Sequence, residues 1–177
     1  MFNENLSTMM KLVAGVLMSA FVILSSCKKS SPTASTTSGG SITATVDGVQ
    51  MSFNNILISK DSAYLGAYVL TLSGATSLTS SSPELSLTVD GASPITTGTY
   101  NLGSSGNTAD VPAIGYIQGS SLIYEEDITG AYSNSIVITS LSKTNVQGTF
   151  SGTLKLTLGS GANTKTITDG KFNVNFK

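Results

Sequence analysis

From Ser41 onward, apolar and polar residues alternate with a period of two. Ile42, Ala44 and Val46 alternate with Thr43 and Thr45; after Asp47-Gly48, Val49, Met51 and Phe53 alternate with Gln50 and Ser52. Such a period places every second side chain on one face of an extended strand. Asp-Gly between two such runs signals a hairpin, because a two-residue type I′ turn needs positive φ at both positions. Folded about Asp47-Gly48, the segment sets Val46 opposite Val49, Ala44 opposite Met51 and Ile42 opposite Phe53, all on one face. A turn one residue longer would lose that match.

The longest alternating run covers 146–158. Val146, Gly148, Phe150, Gly152, Leu154, Leu156 and Leu158 share one face; Gln147, Thr149, Ser151, Thr153, Lys155 and Thr157 share the other. A straight strand of that length would run roughly 43 Å. Gly148 and Gly152 fall on the inward face, where glycine marks a bend or bulge, so a strongly coiled strand is expected. Near the C-terminus, Ile167 precedes Asp169-Gly170 and Phe172, Val174 and Phe176 follow. This predicts a second hairpin, with Ile167 opposite Phe172 and Lys165 opposite Val174. Further strands are predicted over 56–59, 64–73, 85–89, 99–102, 113–118, 122–126 and 135–141, separated by Gly, Asn and Ser. The stretch 64–73 is apolar on both parities and is expected to be central. No stretch after Ser41 shows a helical period. The expected fold is all-β, an antiparallel β-sandwich, with a small closed or partly open, calycin-like barrel as the alternative. A membrane-spanning barrel fits poorly, because its strands run to about 9–11 residues and most here are shorter.

Composition agrees with strands and turns. Charged residues make up 11 % of the chain, and His, Trp and Arg are absent. The net charge is −1, and from Ser41 onward six Lys face nine Asp and Glu. A nucleic-acid partner needs a basic surface to release counterions. The only Lys cluster is Lys28-Lys29, so nucleic acid is excluded.

The N-terminus reads differently. Residues 1–11 are polar and end in Lys11; residues 12–24 are thirteen uncharged positions, LVAGVLMSAFVIL. That is short for a bilayer span, which needs about 20 apolar residues, and has the length of a secretory h-region. Leu24-Ser25-Ser26-Cys27 resembles the bacterial lipobox. The resemblance implies cleavage between Ser26 and Cys27 and diacylglycerol transfer to Cys27, the sole cysteine. Each buried acyl CH₂ adds roughly 0.8 kcal/mol, so two or three chains would anchor the protein firmly. Residues 28–40, KKSSPTASTTSGG, read as a flexible tether with a reach on the order of 20 Å. The expected organisation is a signal peptide over 1–26, lipidated Cys27 and tether over 27–40, and one β domain over 41–177.

Little in the domain carries chemistry. Without His there is no Ser-His-Asp or Cys-His arrangement and no His-based metal site. No Gly-rich segment has phosphate-loop spacing, and no cofactor is expected. Glu125, Glu126 and Asp127 follow the apolar Leu122-Ile123-Tyr124. They read first as a solvated acidic loop, with a calcium or ligand site and a carboxylate-based hydrolase as alternatives. Asp47, Asp90 and Asp169 each precede Gly and read as turn residues. Tyr64, Tyr68, Tyr100, Tyr116, Tyr124 and Tyr132 could stack on sugar, but such rings are more often half-buried strand aromatics.

Four stretches together resemble the small Bacteroidetes lipoproteins grouped as a domain of unknown function (DUF6252-like). They are Ala44-Thr45-Val46-Asp47-Gly48 with Phe53; Gly98-Thr99-Tyr100-Asn101-Leu102; Gly148-Thr149-Phe150-Ser151-Gly152-Thr153-Leu154; and Ile167-Thr168-Asp169-Gly170-Lys171-Phe172. The resemblance implies an envelope lipoprotein and carries no catalytic residues. In some such lipoproteins acidic residues after the cysteine direct surface export. Lys28-Lys29-Ser30-Ser31 contains none, which points to an outer-membrane anchor facing the periplasm rather than the cell surface. The expected function is a non-catalytic, lipid-anchored β domain with a structural or binding role. The alternatives are a carrier of a small apolar ligand, which needs an interior cavity of about 300 Å³, and a glycan-binding module that uses exposed tyrosines and the acidic run, which needs Tyr116, Tyr124 and Tyr132 exposed together.

Overall fold

The computed structural model describes residues 39–64, 66–102, 110–127 and 132–177. The expected signal peptide, Ser26, Cys27 and the tether up to residue 38 lie outside the described residues.

The strands are β1 (Gly40–Val46), β2 (Val49–Ser52), β3 (Asn55–Tyr64), β4 (Ala67–Ala75), β5 (Glu84–Gly91), β6 (Gly98–Leu102), β7 (Asp110–Gln118), β8 (Leu122–Glu126), β9 (Asn134–Leu141), β10 (Asn145–Leu158) and β11 (Thr164–Asn175). Among the described residues there is no helix. The strands form one antiparallel sheet in the order β2-β1-β11-β10-β8-β7-β5-β4-β3, with β9 also beside β10 and β6 beside β9. The sheet does not close into a barrel but folds over on itself as a sandwich. At one side the Ser59 hydroxyl of β3 donates to the Asn175 carbonyl of β11 at 2.8 Å, and the Lys177 ammonium donates to the Ile56 carbonyl at 2.9 Å.

The first hairpin has the register its pattern requires. Val46 pairs with Val49 and Ala44 with Met51, and the Phe53 N–H donates to the Ile42 carbonyl at 2.7 Å. Asp47 and Gly48 take φ of 48° and 82°, the two positive values of a type I′ turn. Ile42, Ala44, Val46 and Phe53 are buried, whereas Val49 is 62 % exposed because β2 is a sheet edge. The Asp47 carboxylate accepts from the Thr166 N–H at 2.9 Å and from the Lys165 ammonium at 2.7 Å, fixing the turn to β11.

Neither later Asp-Gly is a turn: Asp90-Gly91 ends β5, paired with β4 and β7, and Asp169-Gly170 lies inside β11. Residues 164–175 form one continuous strand, and Asp169, with φ of 53°, is an extra residue within it. Relative to β1 the register slips between Thr43↔Lys171 and Thr45↔Thr168; relative to β10 it slips between Phe150↔Gly170 and Gly152↔Ile167. One β-bulge in β11 therefore faces both neighbours. Ile167 and Phe172 lie five positions apart and would face opposite sides of a regular strand. The inserted residue switches parity, so Ile167, Phe172 and Val174 are all buried. Lys165 consequently pairs with Leu154, not with Val174. The stretch 64–73 is likewise divided: Tyr64 ends β3, Ala67 opposite it begins β4, and Gly66 takes φ of 83°.

β10 is the longest strand and organises the rest. Along one edge it pairs with β11; along the other its first half pairs with β9 and its second half with β8. Val146, Phe150 and Leu154 point inward and are at most 3 % exposed. The core joins them to Ile42, Phe53 and Phe172 on this side and to Leu70, Leu72, Leu87 and Ile114 on β4, β5 and β7. Each such side chain contributes about 1.5–3 kcal/mol when fully buried.

Candidate functional site

The acidic run lies at the end of β8, where β10 exchanges β9 for β8. Alternation separates its members: Glu126 shares the inward parity of Tyr124, and Glu125 takes the opposite face, across from Lys155. Carboxylate-pair hydrolysis needs two carboxyl groups about 5–9.5 Å apart across one space, which neighbours on opposite strand faces do not provide. Asp127 is buried at 4 % exposure. Burial pushes the Glu126 carboxyl up to about 7; its own backbone N–H works against the shift, and the negative charges of Glu125 and Asp90 add to it. Its Oε2 is buried without a hydrogen bond. Asn134, opposite Gly152 on β10 and 1 % exposed, has both amide atoms unbonded. Among the described residues no group of three or more acidic, His or Cys side chains is placed to hold a metal.

The tyrosines divide between core and surface. Tyr116 and Tyr124 are 3 % and 1 % exposed and pack on each other with ring centroids 6.2 Å apart, and Phe53 meets Tyr116 edge-on at 6.4 Å. They offer no face to a sugar. Tyr100 is buried, and its hydroxyl donates to the Thr96 carbonyl at 2.7 Å. Tyr64 is exposed, and Tyr132 lies on the surface.

A different surface gathers polar groups. On the outer face of β1, β11 and β10 an open cleft of about 460 Å³ is lined by Gly39, Gly40, Ser41, Asn145, Gln147, Asn173 and Asn175. None of these is charged. Ser41 pairs with Asn173 and Asn173 with Gln147, forming one row across three strands; Asn175 and Asn145 pair in the next row. Strands lie about 4.8 Å apart and same-face residues about 6.8 Å apart along a strand. The amides are locked to one another. The Asn145 Nδ2 donates to Asn173 Oδ1 at 2.9 Å and to Asn175 Oδ1 at 2.8 Å, and Gln147 Nε2 donates to Asn145 Oδ1 at 3.1 Å. The Asn145 Nδ2 also reaches the Val174 carbonyl at 3.2 Å; the Nδ2 donors of Asn173 and Asn175 and the Oε1 acceptor of Gln147 are left for a ligand. Gly39 contributes to this opening: a Cβ there would lie 3.4 Å from Asn175 Nδ2. Sequence reasoning did not single out these amides. Their outward parity was visible, but their convergence needs the order β1-β11-β10.

Fold and surface together define an antiparallel β-sandwich with a buried apolar core and a polar, uncharged outer cleft. Comparison of the chain with protein-family models, curated proteins and solved structures finds no match. No helix among the described residues is long and apolar enough to cross a membrane.

Proposed function

We propose that the chain is a lipoprotein of the bacterial envelope whose β domain has a non-catalytic, binding or structural role. The observation that carries this reading is Leu24-Ser25-Ser26-Cys27 at the end of a thirteen-residue apolar run, with Cys27 the only cysteine. The placement of the fold supports it: β1 begins at Gly40, leaving a short Ser/Thr/Gly segment after Cys27. The resemblance to the small DUF6252-like lipoproteins agrees, and Lys28-Lys29 favour an outer-membrane anchor facing the periplasm. Acyl chains on Cys27 make the membrane the first partner; a glycan or protein is the second.

In cells expressing the full chain, incorporation of tritiated palmitate is expected, and the purified protein should begin at lipid-modified Cys27. Cys27→Ala should abolish the label and leave the larger precursor. Acyl incorporation by that variant, or a mature N-terminus elsewhere, overturns the assignment.

A further inference from the structure

We propose that the cleft on the outer face of β1, β11 and β10 binds a neutral glycan, held by Asn173, Asn175, Gln147 and Ser41. This deepens the binding role proposed above and does not depend on the lipid anchor.

Three observations carry it. First, the hydrogen-bonding groups are sorted. Asn145 and Gln147 consume one end of each neighbouring amide, so the cleft presents two Nδ2 donors from β11 beside the Gln147 acceptor and the Ser41 hydroxyl. Vicinal sugar hydroxyls donate and accept at once and match such a mixed set. Second, the lining carries no charge, so nothing in it favours phosphate, sulfate or uronate over a neutral hydroxyl. Third, the groups are pre-organised. Each amide is on a strand paired on both sides and is restrained by its neighbour, which lowers the entropy lost on binding. An open cleft of about 460 Å³ admits two or three sugar rings of a longer chain. No aromatic ring lines it, so binding is by hydrogen bonds with a Kd of about 0.1–1 mM.

The test uses the full chain in detergent and neutral malto-, cello- and xylohexaose, with a chondroitin sulfate hexasaccharide as the charged comparison. Titration is followed by NMR, reading the side-chain NH₂ signals of Asn173, Asn175 and Gln147. At least one neutral hexasaccharide is expected to shift all three and to bind more tightly than the sulfated one. The double variant Asn173→Ala/Asn175→Ala is expected to weaken binding about tenfold or more, at about 1 kcal/mol net per hydrogen bond. Lys155→Ala, at the far end of β10, should leave it unchanged. No shift with any neutral sugar at about 10 mM, shifts that spare these amides, undiminished binding by the double variant, or preference for the sulfated sugar each overturns the proposal. The wild-type amide shifts keep the test decisive if the double variant fails to fold. Palmitate labelling reports on the anchor separately.

Discussion

Replacing Gly148 by Ala adds one methyl group at a crowded point of β10. The new Cβ would run into the Val137 carbonyl oxygen of β9 and the Cζ of Phe172, with Phe172 Cε1 at 2.9 Å. The ring is buried within the core cluster, and the carbonyl belongs to the ladder in which Thr149 pairs with Val137. Overpacking of this kind costs about 1–3 kcal/mol, and displaced ladder backbone puts it near 3 kcal/mol. For a domain of this size that lowers Tm by about 10 °C. Two other glycines calibrate the result. Gly98 has nothing within 4 Å of an added Cβ and no positive φ. Gly98→Ala should raise stability by about 0.4–1 kcal/mol through the unfolded chain. Gly48 also has open space but sits at φ of 82°, so Gly48→Ala should cost roughly 1–2 kcal/mol in backbone strain. The assay is urea unfolding followed by circular dichroism and tyrosine fluorescence, with coincident transitions confirming two-state behaviour. The expected order of stability is Gly98→Ala, wild type, Gly48→Ala, Gly148→Ala. A Gly148→Ala protein as stable as wild type would show that β9 and β10 do not approach as described.

Glu126 makes stability depend on pH. Burial first of all raises its native pKa to about 7, above the ordinary 4.5, so the native state holds this proton more tightly than the unfolded chain. Its contribution is fully present below about pH 4.5 and is lost as pH rises through 7, a loss of about 3 kcal/mol at most. Glu126→Gln should match wild type at pH 4 and exceed it at pH 8 in thermal melts; equal stability at pH 8 would remove the buried carboxylate from the account. Deleting Asp169 alone should be tolerated, whereas deleting Asp169 and Gly170 together should not. The single deletion removes the extra residue and leaves Ile167 four positions before Phe172, so a regular strand keeps both on the inner face with Val174; the double deletion leaves three and turns Ile167 outward. Loss of a cooperative melt is expected for the double deletion, while Asp169→Gly, which suits positive φ, stays near wild type. An Asp169 deletion variant that fails to fold, as the loss of a two-residue turn would cause, would refute the bulge.

Two of the three Asp-Gly pairs, 47–48 and 169–170, mark where local sequence stops deciding the fold. Both sit between alternating runs, and in both the flanking apolar residues must share a face. A two-residue turn achieves this by reversing the chain; a bulge achieves it by inserting one residue. At 47–48 the chain reverses, and at 169–170 it continues, because β11 has a neighbour on each edge over most of its length. The distinguishing fact was present elsewhere. Unbroken alternation over 146–158 makes a strand that needs a partner nearly as long, and 164–175 undivided supplies one, whereas two arms of a hairpin would not. The same limit governs the surface. Glu125 and Glu126 are adjacent in sequence yet separated by strand parity, while Ser41, Asn173 and Gln147 are remote in sequence yet aligned in one row. Face membership follows from a period of two alone; adjacency across strands follows only from pairing. Any chemistry built from several strands is therefore fixed by pairing, which the longest strand constrains first.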